Sequence, residues 1–198
     1  MNEFDILKSL LEANRSVRRF DSSREIPVEI LEKLVDLTRL CSSGRNLQPL
    51  RYRIVTDPEE RNRLFPALLW AGYYKDWAGP SESERPTAYL VQCLDKELCA
   101  DCLCDDGLQL EAITLGATSL GLSGCIIKAF NKQKVIEALE LPSRYEPRYV
   151  LPLGYAAEKV KLVEVPENGD IRYYRDENST QCVPKRSLSE ILIQKPGC

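Results

Sequence analysis

Residues 42–52 read Ser42-Ser43-Gly44-Arg45-Asn46-Leu47-Gln48-Pro49-Leu50-Arg51-Tyr52, between a segment with the apolar spacing of a helix and a β-rich run. Hydroxyl, amide and guanidinium groups crowd around a single glycine in this stretch. Polar groups are costly to bury unless each finds a hydrogen-bonding partner. The polar turn (residues 43–48) is therefore either a solvated loop or a cradle for a polar ligand.

A second polar cluster lies upstream, where residues 15–20 read Arg15-Ser16-Val17-Arg18-Arg19-Phe20. Together the two stretches resemble the hallmark segments of the FMN-dependent nitroreductase family. In that family an R-S-x-R-x-F run grips the flavin phosphate and a P-S-x-x-N-x-Q-P run lines the flavin. The matching positions here are Arg15, Ser16, Arg18 and Phe20, then Ser43, Asn46, Gln48 and Pro49. Ser42 stands where the family usually has proline.

Helices and strands are mixed along the chain, which is typical of an α+β architecture. Apolar spacing and capping residues predict helices at the start of the chain, after Pro27, after Asp57, at 105–120 and after Asn131, and strands at 52–56, 87–94 and 148–155. The tail predicts a hairpin over 171–183 and a short helix capped by Ser187. The resemblance implies a nitroreductase-like fold, with a central, mostly antiparallel sheet flanked by helices and a C-terminal extension that wraps a partner subunit.

The resemblance implies FMN as the bound cofactor. The phosphate, the ribityl chain and the ring of FMN each require a different kind of protein group, which indicates the residues that would bind them. Its phosphate needs cations, and the basic side chains at the matching places are Arg15, Arg18, Lys185 and Arg186. Its ribityl hydroxyls need small polar partners, which the two motifs supply as Ser16, Ser43, Asn46 and Gln48, with Gly44 and Arg45 in the same turn. Its ring needs apolar surface and backbone N–H groups, which residues 124–127 offer through Gly124, Ile126 and Ile127. Taken alone, the arginine segment (residues 15–18) is better explained as a solvated basic turn, and only the combination favours a cofactor site.

The resemblance also implies an enzyme with a two-step, ping-pong cycle. NADH or NADPH would reduce the bound FMN and leave, and a small acceptor such as a nitroaromatic compound or a quinone would then take the electrons. The resemblance further implies a homodimer with the flavin at the subunit boundary, where one chain supplies the arginines and the other supplies the Asn46 turn. The chain contains no histidine, so the side chain that most often transfers protons near neutral pH is missing. We therefore expect no protein side chain to be indispensable as an acid, base or nucleophile.

Eight cysteines are many for 198 residues, and four of them crowd together as Cys93, Cys99, Cys102 and Cys104. Without a visible secretory signal, they are expected to be reduced thiols rather than a disulfide framework. The spacing of Cys102 and Cys104 is too tight for a usual zinc site, so no metal site is predicted. Two alternatives stay open: a non-catalytic flavin- or metal-binding module that senses redox state through the Cys93–Cys104 cluster, and a thiol enzyme that uses Cys99 or Cys102.

Composition limits the partners and the location. The formal net charge of −3 argues against a nucleic-acid-binding surface. No apolar run approaches the roughly 20 residues of a membrane span, and no signal peptide is visible, so a cytoplasmic protein is expected. No repeat or linker composition divides the chain, so residues 1–198 are expected to form a single domain.

Residues 69–86 are the least regular part of the chain. They carry the aromatic side chains Trp70, Tyr73, Tyr74 and Trp77 among glycine and proline. Such aromatics either pin a surface loop to the core or form a lid over a flat ring.

Overall fold

A four-stranded antiparallel sheet forms the centre of the first of two compact units, Met1–Ala157, in a computed structural model that describes residues 2–193. Its strands are β1 (Leu50–Val55), β2 (Ala88–Asp95), β3 (Ser123–Gly124) and β4 (Tyr145–Gly154), in the spatial order β1-β2-β4-β3. Every residue of β2 is buried, as its apolar composition predicts for a central strand. The α+β class and the mostly antiparallel sheet are thus confirmed.

Five helices accompany this sheet: α1 (Glu3–Ala13), α2 (Val28–Asp36), α3 (Pro58–Leu64), α4 (Asp105–Ser119) and α5 (Lys132–Leu139). The main core lies where α2 and α4 meet alternate residues of β2 and β4, with Leu34, Ile113, Leu90 and Leu151 fully or almost fully buried. Helices α3 and α5 pack against each other, and α5 also contacts β4. Among residues 2–193, no helix combines the length and the apolar character that crossing a membrane requires.

Local capping chemistry sets several helix starts where the sequence predicts them. The Asp57 carboxylate accepts hydrogen bonds from the Glu59 and Glu60 amides at the start of α3. The Asn131 side chain accepts from the Lys134 amide at the start of α5. These bonds satisfy backbone donors that have no partner within the first turn of a helix.

The second unit, Glu158–Cys198, contains a separate three-stranded sheet. Its strands are β5 (Val160–Glu164), β6 (Tyr174–Arg175) and β7 (Gln181–Lys185), in the order β5-β7-β6. The β6–β7 pair is antiparallel and forms the predicted hairpin, whereas β5 runs parallel to β7 and has no counterpart in the sequence prediction. A capping box joins Ser187 and Glu190 at the start of α6 (Leu188–Ile191), as predicted.

The aromatic loop between α3 and β2 is irregular, with short 3-10 turns at Phe65–Ala67 and Glu82–Glu84. Trp70 is buried, and the Tyr74 and Trp77 rings meet edge to face at 6.2 Å. Tyr73 and Leu69 are exposed. Trp70 therefore pins one part of this loop to the core, while another part presents apolar side chains to the surface.

Candidate functional site

The polar turn is fixed to the start of α4 by one buried carboxylate. Asp105 is 1% exposed; its Oδ2 accepts from the Ser43 hydroxyl at 2.6 Å and its Oδ1 accepts from the Gly44 amide at 2.9 Å. The Ser43 oxygen in turn accepts from the Gln48 amide at 2.9 Å. Ser43, predicted as a ligand contact, thus has a donor and an acceptor within the protein and shapes the turn.

The backbone of the turn is left-handed at three residues that are not glycine. Arg45, Asn46 and Gln48 have φ angles of 51°, 56° and 49°, a region that side-chain-bearing residues rarely occupy. The side-chain Nε2 of Gln48 donates to the backbone carbonyl oxygen of Asn46 at 3.2 Å and to its side-chain oxygen at 3.1 Å. All three side chains are exposed, so the turn holds a guanidinium and two amides at the surface in a defined arrangement.

The arginine segment lies against Gly124, as the prediction of a shared site requires. The Val17 amide donates to the Gly124 carbonyl at 3.0 Å, and Ser16 pairs with Gly124 as a parallel bridge. A Cβ on Gly124 would lie 2.9 Å from the Pro152 carbonyl oxygen and 3.0 Å from the Leu151 side chain. Only glycine allows so close an approach to β4 here, and the backbone of the same residue pairs with the arginine segment.

Arg15 has a cationic group that its surroundings do not satisfy. One terminal nitrogen donates to the Leu11 carbonyl at 2.6 Å, but Nε is buried without a hydrogen-bonding partner. Within residues 2–193, no carboxylate forms an ion pair with this guanidinium, whereas Arg19 pairs with Glu84 at 3.7 Å. A half-buried cation without a counter-charge is unfavourable, and an anionic ligand group would relieve this cost.

The backbone amides of residues 124–127 are less available than the sequence suggests. The Cys125 amide donates to the Pro152 carbonyl at 3.3 Å, and the Ile127 amide donates to the Val150 carbonyl at 2.9 Å. The expectation that this segment offers N–H groups to a ring is therefore wrong for these two amides. Ile126 is 38% exposed, so its side chain supplies the apolar surface at this place.

The two motifs attach to different parts of α4. Asn14 immediately precedes the arginine segment, and its side-chain amide donates to the Thr114 hydroxyl at 2.9 Å. Thr114 lies nine positions after Asp105 on the helix, which is about 14 Å at a rise of 1.5 Å per residue. Within one chain, the polar turn and the arginine segment are therefore separated along α4.

Lys185 and Arg186 lie in the second unit. Lys185 is the last residue of β7, and the Arg186 guanidinium pairs with the Glu190 carboxylate of α6 at 3.1 Å. Arg186 thus has a carboxylate partner within its own unit. A role for both residues at the flavin phosphate stays a prediction.

The clustered cysteines differ in exposure. Cys93 and Cys102 are buried, Cys99 is half-buried and Cys104 is exposed. Burial raises the pKa of the Cys93 thiol to about 12. In the part of the chain that the structure describes, no group of three or more His, Cys, Asp or Glu side chains is arranged to hold a metal ion.

Sequence reasoning missed Asp105 as a residue of the site. An acidic residue in the first turn of a helix is ordinarily explained by the helix dipole, which gives no sign of a partner elsewhere. Only the unusual density of polar groups in the polar turn indicates that a buried partner is needed. Nothing in the sequence says which carboxylate it is.

Comparison with known proteins places these features in context. A model of the nitroreductase family matches residues 11–102 and 103–155. A curated protein of Methanothermobacter thermautotrophicus, whose name gives it provisionally as an NADH dehydrogenase/NAD(P)H nitroreductase, is 25% identical over 169 residues, which cover 80% of this chain and 81% of that protein.

Solved structures show the same fold. A nitroreductase family protein of Clostridium difficile 630 is 26% identical, with 98% of each chain covered and a TM-score of 0.65. An FMN-dependent nitroreductase from another strain of Clostridium difficile is 23% identical, with 77% of this chain and 88% of that chain covered and a TM-score of 0.64. The fold expected from the two sequence motifs is therefore confirmed.

Proposed function

Because this chain belongs to the nitroreductase family, a family of oxidoreductase enzymes, we propose that it binds FMN and passes electrons from NADH or NADPH to a small acceptor such as a nitroaromatic compound or a quinone. The observation that supports this most directly is the Arg15 guanidinium, which is half-buried, has an unpartnered Nε and lies in the segment that pairs with Gly124. A phosphate group is the kind of anion that would complete this arrangement.

Different residues of the site contact different parts of FMN. Arg15 and Arg18 hold the phosphate by charge-assisted hydrogen bonds, with the exposed Ser16 hydroxyl beside them. Asn46 and Gln48 offer amide groups to the ribityl hydroxyls, while Ser43 keeps the turn in shape through Asp105. Ile126 provides apolar surface for the ring, since the neighbouring amides are occupied by β4.

Bound FMN would supply the redox chemistry, which is the two-electron transfer from the nicotinamide to the acceptor. The chain's own groups bind, orient and provide fixed charges. With no histidine, and with tyrosine and lysine ordinarily titrating near 10, no side chain is assigned as an acid or base.

The separation along α4 supports a homodimer. A second copy of the chain could bring its polar turn to the arginine segment that a single chain leaves about 14 Å away along the helix. Helix α1 has no buried residue, and Phe4, Leu7 and Leu11 expose 72%, 47% and 41% of their surface along one face. An apolar stripe of this kind suits a subunit interface. We also retain the inference that residues 1–198 act as one domain whose tail wraps the partner subunit.

The first experiment is an FMN titration of the purified protein, followed by visible absorption and flavin fluorescence. Arg15→Ala should weaken binding by about 10- to 150-fold, the loss expected for a charge-assisted hydrogen bond of about 1.5–3 kcal/mol. Arg39→Ala is the matched control, because Arg39 is exposed and pairs only with the neighbouring Asp36 carboxylate among the contacts described. Equal FMN affinity in wild type and Arg15→Ala would remove the phosphate assignment.

Turnover is measured separately on the FMN-loaded protein under argon. Oxidation of NADH or NADPH should proceed when a quinone or nitroaromatic acceptor is present. A protein that binds FMN tightly but leaves NADH and NADPH unchanged would be a redox-sensing module, and the proposed activity would be abandoned. Sedimentation should show an FMN-loaded dimer at micromolar concentration; a folded, loaded monomer contradicts the shared site.

A further inference from the structure

The loop between β2 and α4 holds a Cys-x-x-Cys pair that the flavin site does not use, Cys99-Ala100-Asp101-Cys102. Cys102 is 1% exposed and lies in a small apolar cluster with Leu50 and Leu94, and Cys99 packs against this cluster from a half-buried position. The two cysteines therefore contact the same small apolar cluster, but Cys99 is partly accessible to solvent whereas Cys102 is not.

The surroundings of the two sulfurs are different. Burial raises the pKa of the Cys102 thiol, and the neighbouring Asp106 carboxylate raises it further, while the Arg148 cation acts in the opposite direction. The Cys99 sulfur donates to the Asp101 carbonyl at 2.8 Å. Thiolates rather than thiols attack disulfides, and access decides which of two thiols reacts first. Cys99 is thus the entry point, and Asp106 is placed to accept a proton from Cys102.

We propose that Cys99 and Cys102 form a reversible disulfide by exchange with a low-molecular-weight disulfide, and that this oxidation loosens the polar turn. The Cys99 thiolate attacks one sulfur of the small disulfide, so that a mixed disulfide forms and the first small thiolate leaves. Cys102, which gives its proton to Asp106, then attacks the Cys99 sulfur, and the second small thiol leaves with that proton. Cys99 and Cys102 together lose two electrons, and the small disulfide is reduced to two thiols.

The residues that follow Cys102 are the ones that hold the polar turn. Leu103 has a φ of 55° and packs so closely on Gly44 that a Cβ at Gly44 would overlap its side chain. The Asp105 amide donates to the Cys102 carbonyl at 3.0 Å, and the Asp105 carboxylate accepts from Ser43 and Gly44. A movement of Cys102 is therefore passed directly to the anchor of the turn.

Disulfide formation requires the two sulfurs to leave their present hydrogen-bonding partners. The two sulfurs now face different acceptors, Asp101 for Cys99 and Asp106 for Cys102. A disulfide places the two Cβ atoms about 3.8 Å apart with a fixed dihedral angle. Both sulfurs must turn away from these acceptors to meet this geometry, and a displacement of Cys102 would draw the adjoining Leu103 and Asp105 with it.

The test treats the full chain, without added FMN, with oxidised glutathione, and maps disulfides by mass spectrometry. Hydrogen exchange of the Gly44 and Gln48 amides is measured before and after oxidation, since both amides donate within the turn. We expect a Cys99–Cys102 disulfide and faster exchange at both amides, each reversed by dithiothreitol. Because neither readout involves FMN, the result is independent of the proposed oxidoreductase activity.

Cysteine variants identify which two thiols form the disulfide. Cys99→Ser and Cys102→Ser should abolish both the disulfide and the change in exchange, while Cys104→Ser, at an exposed position, should keep both. Cys102→Ala serves as a second variant if serine in the buried position disturbs folding. The proposal is overturned if the pair stays reduced at every ratio of oxidised to reduced glutathione, if Cys104→Ser abolishes the disulfide, or if the disulfide forms without a change in exchange.

Discussion

The Ser43 hydroxyl donates a 2.6 Å hydrogen bond to the buried Asp105 carboxylate and so joins two residues that are 62 positions apart in the chain. This bond makes the serine of the binding motif part of the scaffold. It also makes α4 the element against which the polar turn is positioned. The consequences of substitutions at the motif should therefore be visible in the protein without any ligand.

Ser43→Ala tests this directly. The substitution removes a hydrogen bond to a charged acceptor, so the free energy of unfolding of the FMN-free protein should fall by about 1.5–3 kcal/mol. Ser42→Ala is the control, because Ser42 is an exposed neighbour and its substitution should change the free energy of unfolding by less than about 0.5 kcal/mol. Urea denaturation followed by circular dichroism measures both. Equal stability of wild type and Ser43→Ala would show that the bond to Asp105 does not stabilise the turn.

Gly124→Ala should be destabilising for a steric reason. The added methyl group meets the Pro152 carbonyl and the Leu151 and Leu153 side chains, so we expect a loss of about 1–3 kcal/mol in unfolding free energy. Gly107→Ala is the matched control in α4, because a Cβ there has open space around it; this substitution should stabilise by about 0.4–1 kcal/mol. Urea denaturation of the two variants separates overlap from a general effect of glycine replacement.

Asp95 should make stability depend on pH. Its fully buried carboxylate accepts from Arg144 at 3.2 Å and 2.6 Å, and these hydrogen bonds hold its pKa below the ordinary value. Because the folded pKa is lower than the unfolded one, the stabilisation is complete above about pH 4 and is lost as the pH falls through the folded value. The difference in urea midpoint between wild type and Asp95→Asn should therefore shrink as the pH falls from about 7 to about 3. A constant difference would assign the acid sensitivity to other groups.

Arg186 should gain affinity for phosphate when its protein partner is neutralised. Arg186→Ala should weaken FMN binding by about 10- to 150-fold if its guanidinium contacts the phosphate. Glu190→Gln should tighten binding, because the carboxylate that now pairs with Arg186 loses its charge while glutamine keeps the capping box possible. Arg172→Ala, which removes another exposed arginine of the same unit, should leave the FMN affinity unchanged. Identical affinities for wild type and Arg186→Ala would exclude Arg186 from the site.

The expectation that no side chain is indispensable as an acid, base or nucleophile can be tested with FMN-loaded variants. Tyr73→Phe, Tyr74→Phe and Cys104→Ser should each keep turnover with a quinone within about tenfold of wild type, a barrier change near 1.4 kcal/mol. Steady-state rates under argon give the comparison. A loss of about a thousandfold in any variant that still holds FMN would assign that side chain to the chemistry.

Local signals in the sequence predict much of this fold. Asp57 and Asn131 cap helices through bonds to residues two or three positions away, and the apolar run of β2 is buried as expected. Strand β5 was not predicted, although its residues partly alternate, because its partner β7 lies beyond the intervening tail. The occupied amides of Cys125 and Ile127 were missed for the same reason, since their acceptors belong to β4. Long-range pairing is not recorded in short windows of sequence.

At the left-handed residues of the polar turn, thermal stability and the proposed FMN binding place opposite demands on the sequence. Glycine would adopt these conformations freely, whereas another L-residue pays about 1–2 kcal/mol there, with asparagine the best tolerated. Replacing Arg45 or Gln48 by glycine should therefore give a more heat-resistant protein that has lost part of its proposed binding groups. Directed evolution that selects for thermal stability alone would therefore replace these residues early. Such a selection should be combined with a screen for FMN binding.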